Sequence, residues 1–250
     1  MDILLTNDDG IHSIGICALY ESLKTEGHKV TVVAPSGERS AVGHALTISD
    51  PIKVKKIFRE GREFGWAVNG TPADCIKLAV NVLLDRRPDL VISGINRGAN
   101  VGINVLYSGT VSAATEAAIL GIKAIAISID SFSDLNYCYA AFVAKDIAKW
   151  FCKTDIKCRA INVNIPSLPA HKISGIKVTR QSTNSFNEKF EKRVDPRGNI
   201  YFWQCASFPK EIEKDTDIYW LKKGFITITP IKFDLTDYSC ITKFFPPKIN

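Results

Sequence analysis

The stretch DILLTNDDGIHSIGICALYESLKTEGHKVTVVAP, residues 2–35, decides the fold. Asp2 to Thr6 reads as a buried strand. Ile14 to Glu26 carries apolar residues at helical spacing until Gly27 stops it, and HKVTVVAP is a second strand closed by Pro35. A strand, a helix and a strand of these lengths form a β-α-β unit whose two strands run parallel. Between the first strand and the helix the apolar run stops on two adjacent acids, Asp8 and Asp9, followed by Gly10. Like charges this close raise each other's pKa, so the pair is unfavourable unless something positive sits between them. A divalent cation is the simplest candidate. The competing structural reading is that an Asp caps the following helix, which needs one acid and leaves the second unexplained.

The alternation continues outward from this unit. The spacing predicts a helix over about 72–84, a strand at 90–93, a helix over about 112–120, a strand at 124–129, a helix over 136–152 and a strand at 160–166. Strands and helices in this order imply a parallel sheet with helices on both faces. The rhythm then changes. Residues 177–208 are polar, basic and aromatic, and DPRGN at 195–199 is a strong turn signal between strand-like arms. GFITITPIKFDLTD, 224–237, returns to strand character before a tail.

Composition narrows the class. Hydrophobic residues make up 46% and charged residues 23%, the balance of a soluble globular protein, and no run approaches the roughly 18 apolar residues of a membrane span. The opening MDILLTNDD puts acids where a secretory signal needs basic and then apolar residues, so a cytoplasmic location is expected. Seven cysteines, scattered and without a CxxC, indicate neither a disulfide framework nor a zinc knuckle. Net charge is +6. Residues 1–130 hold 13 Lys/Arg against 14 Asp/Glu, and the remainder 19 against 12, so the basic excess is C-terminal. It could steer anionic substrates or be an ordinary solvated surface.

In an open α/β sheet, ligands bind at the carboxyl ends of the strands. Strand ends here carry NDDG (7–10), APSGERS (34–40) and SGINRGAN (93–100), so Asp, Ser and Asn oxygens converge on one rim. These hard donors suit magnesium, manganese or calcium. The four histidines, at 12, 28, 44 and 171, form no metal-binding pair. Ser108, Gly109 and Thr110 precede a helix rich in small residues, where free N–H groups and hydroxyls bind phosphate or merely cap the helix. GIHSIGIC, 10–17, has P-loop-like glycines but lacks the lysine and hydroxyl residue, and neither GxGxxG nor GxSxG occurs.

Several long motifs in one order, NDDG at 7–10, AP…RS…GHALT at 34–47, NGTPADC at 69–75, PDLVISGINRGANVG at 88–102 and YSGTVSAATE at 107–116, resemble the SurE (survival protein E) family of metal-dependent nucleotidases. NVNIP, DPRG…YFW and ITPIKFDLTD continue the likeness more thinly. The resemblance implies a single domain over 1–250: a Rossmann-like three-layer α/β/α sandwich (1–176 plus 216–236), an oligomerisation hairpin arm (177–215) and a tail (237–250). It implies one divalent cation per subunit, magnesium or manganese, held by Asp8, Asp9, Ser40 and Asn96. Phosphate would be held by Asn100, Ser108, Gly109 and Thr110, with Asp8 catalytic. The implied reaction is hydrolysis of nucleoside 5′- and 3′-monophosphates, with short polyphosphate as a further substrate, by a homodimer or homotetramer without a membrane or a stable nucleic-acid partner. Asn104, where many relatives have Asp, and the bulky Tyr219, Trp220 and Leu221 depart from the pattern. The rival expectation is a nucleotide or nucleic-acid binding module in which Lys172, Lys177, Arg180, Lys189, Lys192 and Arg193 contact phosphates while Phe186 and Phe190 stack on bases.

Overall fold

The computed structural model describes residues 1–133, 136–184, 187–207 and 211–243. Strand β1 (Asp2–Thr6) sits inside a nine-stranded sheet, between β2 (Lys29–Pro35) and β5 (Leu90–Arg97), parallel to both. Side chains alternate along a strand. Ile3 and Leu5 therefore enter one core cluster and Leu4 the other, and all three are fully buried. Each contributes about 1.5–3 kcal/mol, so the unbroken apolar run marks a strand covered on both faces.

Helices α1 (Ile14–Lys24) and α4 (Tyr137–Lys153) pack together on one face. On the other lie α2 (Pro72–Leu78), which continues as a π-helical turn over Ala79–Leu83, and α3 (Gly109–Ile119). The helix expected over 72–84 is thus α-helical only in its first half. Thr71 and Asp74 form a capping box with Pro72 at the first helical position, so NGTPADC is a helix-start signal.

The sheet order is β3-β4-β2-β1-β5-β6-β7-β11-β8, with β6 at Lys123–Asp130, β7 at Ala160–Pro166 and β8 at Ile176–Val178. Its middle is parallel, as expected, but both edges are not. β3 (Val54–Arg59) and β4 (Arg62–Val68) form an antiparallel hairpin that the sequence reading left unassigned, turning on Glu60 and Gly61, both at positive φ. Two such residues make the turn type that matches strand twist. β11 (Ile226–Ile231) runs antiparallel to β7 and carries β8 beyond it. Lys177 and Val178 pair with β11 there, so they belong to the main sheet and not to the arm expected to start at 177.

The arm itself is a two-stranded ribbon. β9 (Asn187–Val194) and β10 (Ile200–Ser207) pair antiparallel across the turn that contains Asp195 and Gly198. Helix α5 (Asp217–Lys222) follows, and α6 (Tyr238–Ile241) begins the tail. Phe186, and the tail from 244 onward, lie outside the described residues. Among the described residues, no helix is long and apolar enough to cross a membrane.

Candidate functional site

From β1 the chain leaves in one direction to β2 and returns on the other side at β5. This reversal opens a crevice beyond the carboxyl ends of β1 and β5. Asp8 and Asp9 follow β1, and Asn96 lies near the end of β5. Between Ser93 and Asn96 the register with β6 shifts, and Gly94, at φ +141°, lies where a Cβ would meet the Ile127 carbonyl oxygen at 2.4 Å. Only glycine fits that crossing, and the shift re-aims Asn96.

Neither acid caps α1. Its N-cap is Ser13, whose hydroxyl accepts from Asn7 Nδ2 at 2.7 Å. Asn7 also closes the loop on Gly10, donating to its carbonyl at 3.0 Å and accepting its N–H at 3.2 Å. Asp8 turns instead to α3: its carboxylate accepts the Thr110 N–H at 3.1 Å and the Thr110 hydroxyl at 2.5 Å. Gly109 makes this approach possible, since a Cβ there would stand 2.9 Å from the Asp8 Cβ. A carboxylate at a helix N-terminus is stabilised by the dipole and the free N–H groups.

Asp8 is only 6% exposed, and Asp9 is half-buried. Burial pushes the Asp8 carboxyl up, against the pull of the Thr110 hydroxyl. Burial first and the Asp8 charge second push Asp9 up to about 6, with the Arg97 N–H and charge opposing. Glu38 raises both further, an acid near the site that the sequence reading did not single out. Among the described residues no ion pair includes Asp8 or Asp9.

Ser40 is exposed at the pocket edge, its hydroxyl donating to Glu38 at 2.6 Å, and the Arg39 N–H donates to the Asp8 carbonyl at 2.7 Å. Asn96 donates its amide to the Gly98 carbonyl at 2.8 Å, which turns Oδ1 into the atom available to a cation. Two carboxylates, an amide oxygen and a hydroxyl are a hard donor set, and neither acid has an ion-pair partner among the described residues. The residues therefore fit a divalent cation of the magnesium or manganese type. Among the described residues no three His, Cys, Asp or Glu side chains cluster closely enough to hold a metal by themselves, so the neutral oxygens are needed to complete such a set.

Asn100 is pinned from below. Its N–H donates to Asn164 Oδ1 at 2.8 Å, its carbonyl accepts from Asn162 at 2.7 Å and from Asn164 at 3.0 Å, and its Nδ2 donates to Ser128 Oγ at 2.9 Å. The buried asparagines of NVNIP are thus supports for the phosphate-loop candidate. On the other side, the buried Asp217 carboxylate accepts from the Gly102 N–H at 2.8 Å and the Ser182 N–H at 2.9 Å, tying the same loop to the root of the arm. Ser108 caps α3, its Oγ accepting the Val111 N–H at 3.1 Å. Thr110 is fully buried and both its donors are taken by Asp8, so it positions that acid and is not free to hold phosphate as expected from the sequence. The Gly109 N–H is the first-turn donor that neither Asp8 nor Ser108 takes up.

Asp8, Ser40, Asn96, Asn100 and Ser108 line one cavity of about 590 Å³, a size that suits a small-molecule ligand. A cavity of about 250 Å³, lined by Asp2, Lys29 and Trp66, opens where β1 and β2 begin, the end that open sheets do not use for ligands.

The profile of a family described as "Survival protein SurE" matches residues 3–188. The chain is 49% identical over 243 residues to "5'-nucleotidase SurE" of Syntrophobacter fumaroxidans, covering 96% of this chain and 97% of that protein. It is 46% identical to the protein of the same name from Syntrophus aciditrophicus, over 96% of this chain and 91% of that one. The crystal structure of the SurE protein from Aquifex aeolicus superposes with a TM-score of 0.85 at 42% identity, covering 97% of this chain and 98% of that chain. With its crevice at the switch between β1 and β5 and these likenesses along nearly its whole length, the chain belongs to the survival protein SurE family.

Proposed function

We propose that the protein is a 5′-nucleotidase, a phosphomonoesterase that releases phosphate from nucleoside 5′-monophosphates with one magnesium or manganese ion per subunit. Nucleoside 3′-monophosphates and short polyphosphate are further substrates in this reading, and the compartment is the cytoplasm. The observation that carries this reading is the pair of adjacent carboxylates, Asp8 buried in the wall of a ligand-sized cavity and Asp9 half-buried beside it, neither with an ion-pair partner among the described residues. Asp8, Asp9, Ser40 and Asn96 would hold the cation, which supplies Lewis acidity and lowers the pKa of bound water.

The chain's own residues do the rest. Thr110 fixes the Asp8 carboxylate through two hydrogen bonds, so that Asp8 can take and return a proton at one orientation. The Gly109 N–H and the Ser108 hydroxyl are the donors for a phosphoryl oxygen at the start of α3. Asn100 joins them when its amide turns, because Ser128 can serve as donor or acceptor. Asp217, Asn162 and Asn164 hold the loop so that these donors are prepositioned.

The ribbon is the proposed interface of a homodimer or homotetramer. All eight residues of β9 are exposed, and Phe202 and Trp203 stand out on β10. A lone two-stranded ribbon is marginal in water, and its apolar side chains call for a second surface. Binding of nucleic acid is the weaker reading. Arg193 is paired with Glu191 at 3.0 Å, Arg180 with Glu213 at 2.6 Å, and Lys177 lies over the Trp220 and Phe225 rings, so these cations are already engaged.

Phosphate release from AMP tests the proposal. Activity should need added magnesium or manganese, vanish on chelation and return with the metal. Full activity after exhaustive EDTA treatment would overturn the cation, and AMP binding without hydrolysis would leave only a binding module.

A further inference from the structure

The cavity that holds Asp8 has a second wall, and it comes from the arm of the same chain. Glu188 of β9 and Gln204 of β10 line it together with the rim residues. Glu188 pairs with Ala206 and Gln204 with Phe190, so Glu188 and Gln204 are diagonal neighbours on one face of the ribbon. Phe132 lines the cavity too. Its ring lies against Gly98, where a Cβ would meet it at 2.7 Å, and the side chain is 78% exposed.

We infer that this wall is the nucleoside subsite and that Glu188 selects a neutral, hydrogen-bonding leaving group over a second phosphate. The inference rests on the phosphomonoesterase reading of the rim. Phe132 offers a flat, wet ring on which a base can stack, an arrangement that tolerates any base. The Glu188 carboxylate offers acceptor oxygens suited to ribose hydroxyls or base amino groups, and Gln204 can donate or accept. A negative charge in this wall repels a ligand that carries a second phosphate beside it. The arm therefore decides what the ester carries, and the rim decides what is cleaved.

Three substrates separate these roles: AMP, tripolyphosphate and p-nitrophenyl phosphate, which offers Glu188 no hydrogen-bond donor. In Glu188→Gln, kcat/KM for AMP should fall about ten-fold, the loss expected for a hydrogen bond to a charged group. The value for p-nitrophenyl phosphate should stay within two-fold, and that for tripolyphosphate should rise several-fold. Phe132→Ala should lower AMP turnover at sub-saturating substrate and leave tripolyphosphate unchanged. Light scattering on each variant checks that the assembly is that of the wild type. A wild type active on AMP, with Glu188→Gln changing all three substrates equally or none, overturns the inference. A wild type that hydrolyses none of them overturns the underlying reading instead.

Discussion

The rim and the ribbon are both polar, yet their hydrogen bonds end in different places. At the rim, Asp8 reaches Thr110, Asn100 reaches Ser128, Asn162 and Asn164, and Gly102 reaches Asp217, each across the sheet and each buried. In the ribbon the side-chain bonds are local, Arg193 to Glu191 and Asp195 to Asn199, and they lie in water. A buried polar group left without its partner costs about 1–3 kcal/mol, so the rim cannot shift without loss. These exposed bonds carry a smaller penalty, so what packs on the ribbon contributes more to its position.

The largest effect should follow from breaking the rim at its acid. Asp8→Asn keeps shape and an oxygen but removes charge and proton transfer, and turnover on AMP should fall by about 10² to 10⁴ even at saturating magnesium. Asp9→Asn should be partly rescued by more magnesium. Turnover against magnesium concentration for both variants decides between these roles, and near wild-type rates in both would refute the site.

A smaller effect tests whether Thr110 positions Asp8 or holds phosphate. Thr110→Val keeps the volume and removes the hydroxyl that Asp8 accepts. A misplaced catalytic group costs up to about 10²-fold, and with the N–H bond retained a roughly ten-fold fall in kcat at unchanged KM is expected. A rise in KM with kcat intact would return Thr110 to the phosphate.

Breaking the ribbon should act on assembly more than on chemistry. Trp203 lies on the face opposite Glu188 and Gln204. Trp203→Glu should bring the light-scattering mass from a multiple of 27.6 kDa down to that value, with turnover per site changed only a few-fold, roughly the scale of a lost exposed contact. A wild type that is already monomeric at micromolar concentration would remove the ribbon as an interface.

The smallest effect concerns the back of the rim. Glu116, only 4% exposed, pairs with His44 at 2.8 Å and with Lys77 at 3.0 Å. The hydrogen bond from His44 is the main cause, with Lys77 adding to it, that its carboxyl lies below the ordinary 4.5. A folded value below the unfolded one means stability that is present above pH 4.5 and lost as pH falls through the folded value. Glu116→Gln should lower Tm by roughly 2–4 °C at pH 7, about 1 kcal/mol, and the gap to the wild type should close on acidification. A gap that persists at pH 3 would show that packing, not charge, is lost.

What could be read along the chain was what is local or periodic. The apolar run of β1, the helix from Ile14, the helix start near Pro72 and the turn at Asp195 each follow from neighbours a few residues apart. Asp8, Ser40, Asn96 and Asn100, which the sequence sets at strand ends, line one cavity with Ser108, which it sets before a helix, while Asp9 is not among the lining residues. The hairpin of β3 and β4 carries a weaker local signal, since of Glu60 and Gly61 only the glycine is a usual turn residue.

The tertiary structure alone decided which donor meets which acceptor. Nothing between Asp8 and Thr110, 102 positions apart, says that the acid accepts both donors of a first-turn residue of α3 and that the threonine is thereby spent. Nor does composition say that an exposed strand from the basic half brings Glu188 to the same cavity as Asp8. Periodicity carries the face on which a side chain lies, because sterics act between near neighbours. The pairing of polar groups depends on distances between remote segments, and those are set only when the sheet order and the packing of its layers bring the segments together.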